Sequence, residues 1–177
     1  MTTLTDSRAA KDAFYGTSTD SPLLPEQKAA FQGLNYYPEA PDLAFEVTPD
    51  PFADPELIEM QTSTGDQARY LRWARLTLPL PGGQVELTVF RDPGTDSFFL
   101  PFQDAGRGTE TYGAGRYVDV EPLAGGRLRI DFNYAYNPYC AYNDGWSCPL
   151  PPAENRLSVP IRAGEKVYHP EEYRLAR

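Results

Sequence analysis

A chain of 177 residues with 16 Lys and Arg against 25 Asp and Glu, and a formal net charge of −9, is long enough for one domain with a full core. Its acidity argues against a sequence-independent nucleic-acid surface or an anionic-membrane surface, since both rest on concentrated cationic charge. The N-terminus lacks the continuous apolar core of a secretory signal and no run approaches the roughly 20 apolar residues of a membrane span, so the reading is a soluble, cytoplasmic protein with no nucleic acid and no membrane among its partners.

Taken in order, Thr5 or Asp6 caps a short helix running to about Tyr15, with Ala9, Ala10, Ala13 and Phe14 as a narrow apolar stripe. Residues 25–32 read as a second short helix stopped by Gly33, a good residue for the position after a helix end. Residues 1–40 thus form a helical clasp. From Asp42 the hydrophobic period becomes two. Strands are expected over 43–47, 56–62 and 68–80, the last with a bulge near Ala74 and Arg75, because Leu71 and Trp73 share one face early whereas Leu76, Leu78 and Leu80 share the other late.

Pro81-Gly82-Gly83 turns the chain into a strand over 84–91, with Val85, Leu87 and Val89 on one face. Further strands follow at 97–102, 116–121 and 127–133, the last with Leu128, Ile130 and Phe132 inward and Arg129, Asp131 and Asn133 outward. Segments 157–162 and 167–169 close the domain around a turn at 163–166. Short strands at regular spacing, with turn chemistry between them and no crossover helix, give a mainly β fold. The expectation is an antiparallel β-barrel, or else a β-sandwich, over 41–177 with the short N-terminal helices appended.

Residues 131–155 are too rich in Pro, Asn and Gly for regular structure and too aromatic for a solvated linker, so a long ordered loop packed on the scaffold is expected there. It holds both cysteines, Cys140 and Cys148. A zinc site needs about four ligands and a nucleophilic thiolate needs a base, and the one histidine, His169, is the only histidine that could serve either. A structural pair, disulfide-bonded or as two buried thiols, is the simpler reading, with no metal and no cofactor expected. Tyr134, Tyr136, Tyr139, Tyr142 and Trp146 could line a pocket or form the loop's own small core.

Two polar groups flank the hairpin that precedes this loop. Asp104, Glu110, Tyr112 and Arg116 lie in or beside a glycine-rich loop whose glycines permit close backbone approach; Asp131 and Asn133 lie at a strand end, followed by Tyr136, Asn137, Glu154 and Asn155. Paired carboxylates across a pocket suit hydrolytic acid–base work, and a carboxylate beside an amide can orient a polar ligand. The plain alternatives are a loop-bracing ion pair from Arg116 to Glu110 or Asp119, and an Asx turn at Asp131.

The strings Phe102-Gln-Asp104, Gly108-Thr-Glu110-Thr-Tyr112-Gly113-Ala-Gly115-Arg116, Asp131-Phe132-Asn133, Asn137-Pro138-Tyr139-Cys140, Cys148-Pro149, Glu154-Asn155-Arg156 and Ala163-Gly164-Glu165-Lys166 occur in an order that resembles the family named domain of unknown function 1684. The resemblance implies a β-rich protein and marks these residues as important without naming a reaction. Three functions follow as expectations. The first is a protein binding a small polar molecule between loops 103–116 and 131–155; the second is a hydrolase using Asp104, Glu110 or Asp131; the third is a non-catalytic structural or interaction domain. The first two require those side chains to converge with free oxygens, and the third requires them to be satisfied within the fold.

Overall fold

The computed structural model describes residues 3–168. It is mainly β, with two antiparallel sheets and a helical N-terminus. Helix α1, Leu4–Thr17, is capped by Thr3, whose hydroxyl accepts from the Asp6 N–H while the Asp6 carboxylate accepts from the Thr3 N–H. Helix α2, Pro25–Ala30, starts on a proline at its first position. No helix among the described residues is long and apolar enough to cross a membrane.

The larger sheet has the order β2 (Asp50–Gln61), β3 (Gln67–Leu80), β4 (Gly83–Arg91), β5 (Phe98–Phe102), β6 (Arg116–Val118), and the smaller has β1 (Ala44–Val47), β8 (Leu128–Asp131), β7 (Val120–Pro122). The mainly β reading holds, and no ladder among the described residues closes either sheet on itself. The stretch 116–121, expected as one strand, is two: β6 pairs with β5 and β7 with β8, and the chain changes sheet at the exposed Asp119 between them. The β3 bulge is present, with the register slipping between Arg72 and Ala74, so that Trp73 is the extra residue. Leu76, Leu78 and Leu80 thereby turn into the core, where Leu87, Val89, Leu100, Phe102, Val118, Leu128, Ile130 and Phe132 join them from both sheets.

Residues 157–162 keep the expected alternation, with Leu157 and Ile161 buried in the same core, yet they form no strand. Their partners are irregular: Leu157 N–H donates to the Gln103 carbonyl, Ala105 N–H to the Val159 carbonyl, and Ile161 N–H to the Asp104 carboxylate. An extended segment bonded partly to a side chain has no ladder to belong to. Val167 is likewise outside any strand, and His169 lies outside the described residues.

Helix α1 docks across the loop 131–155. Arg8 Nη1 donates to the Tyr37 carbonyl at 2.9 Å, Asp12 accepts the Leu34 N–H at 3.1 Å, and Tyr15 packs edge-on against Tyr142 with ring centroids 5.1 Å apart. Tyr15, Leu23 and Leu34 from the N-terminal segment, Tyr142 from the loop and Tyr168 beyond it make a second small core. Of the loop aromatics, Tyr142 is core, while Tyr134 and Trp146 are exposed.

Candidate functional site

The glycine-rich loop and the loop 131–155 do meet, and the contact is filled. Gln103 N–H donates to the Asn155 carbonyl, Tyr117 and Tyr136 exchange both backbone hydrogen bonds at 2.9 Å, and Gly115, at φ +103°, lies so close to Pro151 and the Phe102 carbonyl that a Cβ there would overlap both. Behind this seam lies a buried polar network. Arg116, 1% exposed, donates to the carbonyls of Ile161 (2.7 Å), Ala163 (2.6 Å) and Glu165 (2.9 Å), so its planar fork gathers the C-terminal segment. Burial pushes the guanidinium's pKa down, and Asp104, 3.8 Å away, opposes that shift.

Asp104 itself accepts from the Thr111 hydroxyl at 2.6 Å and the Ile161 N–H at 2.8 Å. Glu165, equally buried and not singled out from sequence as a site residue, bonds Lys11 of α1, the Asn137 N–H at 2.8 Å and the Tyr142 hydroxyl at 2.9 Å. The charges of Asp104, Arg116, Glu165 and Lys11 cancel in pairs, which is what allows the group to sit inside the protein.

Glu110 faces outward. Its carboxylate takes a bidentate pair from Arg162, 2.9 Å at each oxygen, and the Tyr37 hydroxyl at 2.8 Å. First Arg162 and then Tyr37 hold its pKa at about 2, below the ordinary carboxylate range. A depressed folded-state value means that the stabilisation is present above the unfolded value near about 4.3 and is lost as pH falls towards about 2. With the guanidinium 62% and the carboxylate 38% exposed, solvent screens the pair and its contribution to stability is small. Arg162→Met is therefore expected to raise the Glu110 pKa part of the way back to the ordinary carboxylate range in an NMR titration, the Tyr37 hydroxyl still lowering it, and to flatten the acid limb of stability; an unmoved Glu110 would show that Arg162 is not the cause.

The remaining sequence candidates are also engaged. Asp131 makes the Asx turn considered from sequence, its Oδ1 accepting the Asn133 N–H at 2.9 Å, and the chain leaves β8 as a 3-10 turn, Phe132–Tyr134. That turn rotates Asn133 inward, correcting its expected outward position: it is buried, and its amide bonds both the N–H and the carbonyl of Ala40. Asn137 Nδ2 donates to the Lys166 carbonyl, and the Tyr112 hydroxyl lies 3.4 Å from the Cys140 carbonyl. Glu154 accepts from Arg72 and from the Thr88 hydroxyl, and Asn155 bonds Thr88 and Pro101. Cys140 and Cys148 are both free thiols and both buried. Among the described residues no three His, Cys, Asp or Glu side chains are grouped to hold a metal ion.

An open groove of about 440 Å³ runs between α1 and the start of the loop, lined by Lys11, Phe14, Tyr15, Asp119, Tyr134, Tyr136 and Tyr139. Of these only Tyr136 was read from sequence as a binding residue, with Tyr134 and Tyr139 as pocket alternatives. Phe14 reads as helix stripe, Tyr15 as the helix end and Asp119 as a strand residue or an ion-pair partner of Arg116, which instead pairs with Asp104 and bonds three carbonyls; nothing local shows that α1 lies over the sheet switch. The Lys11 ammonium sits 5.0 Å from the Tyr136 ring centroid and 5.4 Å from that of Tyr15, with its charge taken by Glu165. Asp119 receives only the Tyr136 hydroxyl, at 3.2 Å, and has no ion pair among the described residues. A second hollow, of about 390 Å³, carries Glu110 and Lys166, but the Glu110 carboxylate is already occupied.

A family model described as "Protein of unknown function (DUF1684)" matches residues 29–166. A solution NMR structure of an uncharacterised protein of Haloarcula marismortui is similar with a TM-score of 0.71 and 38% sequence identity, over 92% of this chain and 91% of that one. No curated protein matches. The matched range includes the Asp104, Arg116 and Glu165 network and both cysteines, and it leaves out α1.

Proposed function

We propose, for a chain that belongs to the DUF1684 family of proteins of unknown function, that its role is to bind a small, flat-faced polar molecule in the groove between α1 and the loop 131–155. One observation carries this reading. The exposed large hydrophobic side chains among the described residues are Phe14, Leu24, Leu57, Tyr134 and Trp146. Phe14 and Tyr134 line the groove, and Trp146 packs edge-on against its Tyr139 with centroids 4.9 Å apart. Exposed aromatic surface gathered at one concavity is unfavourable unless something covers it, and rings with polar tips suit a ligand that is apolar on its face and polar at its rim.

The charge pattern narrows the chemistry. Glu165 neutralises Lys11, which leaves the Asp119 carboxylate as the uncompensated charge of the groove. The ligand is then a neutral or cationic hydrogen-bond donor, such as a sugar ring or an aromatic amine, and not an acid. Asp104, Glu110 and Asp131, the carboxylates suited to acid–base chemistry, lie outside the groove and are bonded within the fold. That leaves binding with the stronger support.

The test is a thermal-shift and NMR titration of the full chain against sugars, aromatic amines and aromatic acids. Amines or sugars are expected to shift the resonances of Tyr134 and Tyr139, with affinity falling about tenfold in Tyr134→Ala, a loss in the range of one stacked ring. The reading fails if no compound shifts these residues, or if Tyr134→Ala binds as tightly as the parent.

A further inference from the structure

Lys11 of α1 reaches inward to Glu165 on a side chain that is still 28% exposed, whereas the Glu165 side chain is 2% exposed. The carboxylate is held in place by other groups: Oε2 accepts the Asn137 N–H at 2.8 Å and the Tyr142 hydroxyl at 2.9 Å, which leaves Oε1 for the ammonium. Two rings complete the surroundings, with the Lys11 Nζ 5.0 Å from the Tyr136 centroid and 5.4 Å from that of Tyr15. A fixed carboxylate beside aromatic faces is a receptor for an organic cation, and here the chain's own lysine fills it. Next to it lies a hollow of about 70 Å³ with Glu165 in its wall. Lys11 and Tyr134 line both that hollow and the groove, so the lysine side chain stands between the groove and the carboxylate. Arg8, the other cation of the hollow, is engaged elsewhere: its guanidinium bonds the carbonyls of Tyr37 and Asn133 and lies 4.6 Å from the Tyr36 centroid.

We propose that the ligand of the groove is a primary amine whose ammonium takes the place of Lys11 at Glu165, and that Lys11 is a built-in stand-in that holds the site until the ligand arrives. This rests on the groove reading for the body of the ligand and adds the group that anchors it. The anchor carries N–H donors, because Oε1 is an acceptor and a quaternary ammonium has no hydrogen to give it. It stands on an unbranched carbon stem, since that is the shape in which Lys11 passes between the rings to the carboxylate. A neutral sugar offers no such anchor and leaves Lys11 where it is.

The exchange is one for one, because a carboxylate as buried as that of Glu165 is costly to leave without a counter-charge. The ligand's ammonium enters as that of Lys11 leaves. Displaced, Lys11 swings on its exposed stem into the groove, where the Asp119 carboxylate has no ion pair among the described residues, so the added positive charge is balanced. A tethered competitor is always at hand, and it lowers the ligand's apparent affinity by the fraction of time that it stands aside. Removing Lys11 therefore strengthens ligand binding even as it weakens the fold, a combination that a purely structural ion pair does not produce.

The test uses the full chain at neutral pH and equal ionic strength with butylamine, which has the ammonium and no ring, phenethyl alcohol, which has the ring and no ammonium, and phenethylamine, which has both. Lys11→Ala is expected to melt earlier than the parent, to be restabilised by butylamine and not by phenethyl alcohol, and to bind phenethylamine at least about tenfold more tightly than the parent does. Adding Glu165→Gln to Lys11→Ala is expected to abolish both amine effects. In the parent, where no variant has to fold, phenethylamine is expected to move the Asn137 N–H resonance and to shift the Lys11 ammonium signal away from its paired position. The assignment is overturned if butylamine stabilises Lys11→Ala no more than potassium chloride does, or if phenethylamine leaves the Asn137 N–H of the parent unmoved. Phenethyl alcohol separates these failures from failure of the groove: ring probes that shift Tyr134 and Tyr139 without any amine moving Asn137 keep the groove and sink the anchor, whereas butylamine acting at Asn137 with no ring probe reaching Tyr134 keeps the anchor and sinks the groove.

Discussion

Arg116→Met is expected to lower the stability of the protein by about 3–5 kcal/mol, the range measured when one member of a buried charged network is removed. Methionine matches the stem of arginine and keeps most of its packing against Phe102, whose ring centroid lies 5.1 Å from the guanidinium carbon. What disappears is the donor set that bonds the carbonyls of Ile161, Ala163 and Glu165, together with the cation paired with Asp104. Stranded acceptors and an unpaired interior carboxylate both cost desolvation that the folded state does not recover. Arg116→Lys keeps the charge without the fork and is expected to recover less than half of the loss. Pairing Arg116→Met with Asp104→Asn should fall short of additivity, because the second change removes the stranded charge. In urea denaturation the midpoint falls while the slope is unchanged; a midpoint within about 1 kcal/mol of the parent would mean that the network does not hold the C-terminal segment.

These contacts explain which parts of the fold a reader of the sequence can reach. The β3–β4 hairpin, its bulge at Trp73 and the inward triplet Leu128, Ile130 and Phe132 follow from alternation and turn residues, which are local signals. The segments around the seam are joined by isolated bridges, Tyr117 to Tyr136 and Gln103 to Arg156, and by side chains standing in for strands. A single bridge imposes no period. For the same reason residues 157–162 look like a strand: the alternation is real, but it is read out against a loop and a carboxylate. Asp104, Arg116, Asn133 and Asn155 are visible in sequence as polar residues in unusual strings, and that they are buried depends on pairings across tens of residues. The groove is harder still, because Lys11 and Phe14 meet Tyr134 and Asp119 only after α1 docks.

Asn155 shows how a residue that reads as a ligand contact can instead complete a sheet. Strands β4 and β5 are paired only at Phe90 with Phe99 and Arg91 with Phe98, and they splay before reaching Thr88. The Asn155 amide fills that gap: Oδ1 accepts the Thr88 N–H at 2.7 Å, and Nδ2 donates to the carbonyls of Thr88 and Pro101, each at 2.8 Å. It is fully buried, so no water can take over these bonds. Asn155→Asp is isosteric and keeps the acceptor, but it loses both donors and places a carboxylate against two carbonyl oxygens. We expect a loss of more than about 3 kcal/mol at neutral pH, larger than for most single substitutions. The sign of its pH dependence follows from the same geometry. A carboxylate destabilised by burial and by facing carbonyls has a raised folded-state pKa, so the deficit relative to the parent is smallest near pH 4 and grows as pH rises, because the neutral acid can donate one of the two lost bonds. Asn155→Ala, which leaves all three groups unpaired without adding charge, should show a deficit that does not grow over that interval. Urea denaturation of both variants at about pH 4 and pH 7 separates them, and equal, pH-independent losses would mean that the missing side chain, and not the missing donors, is what β4 feels.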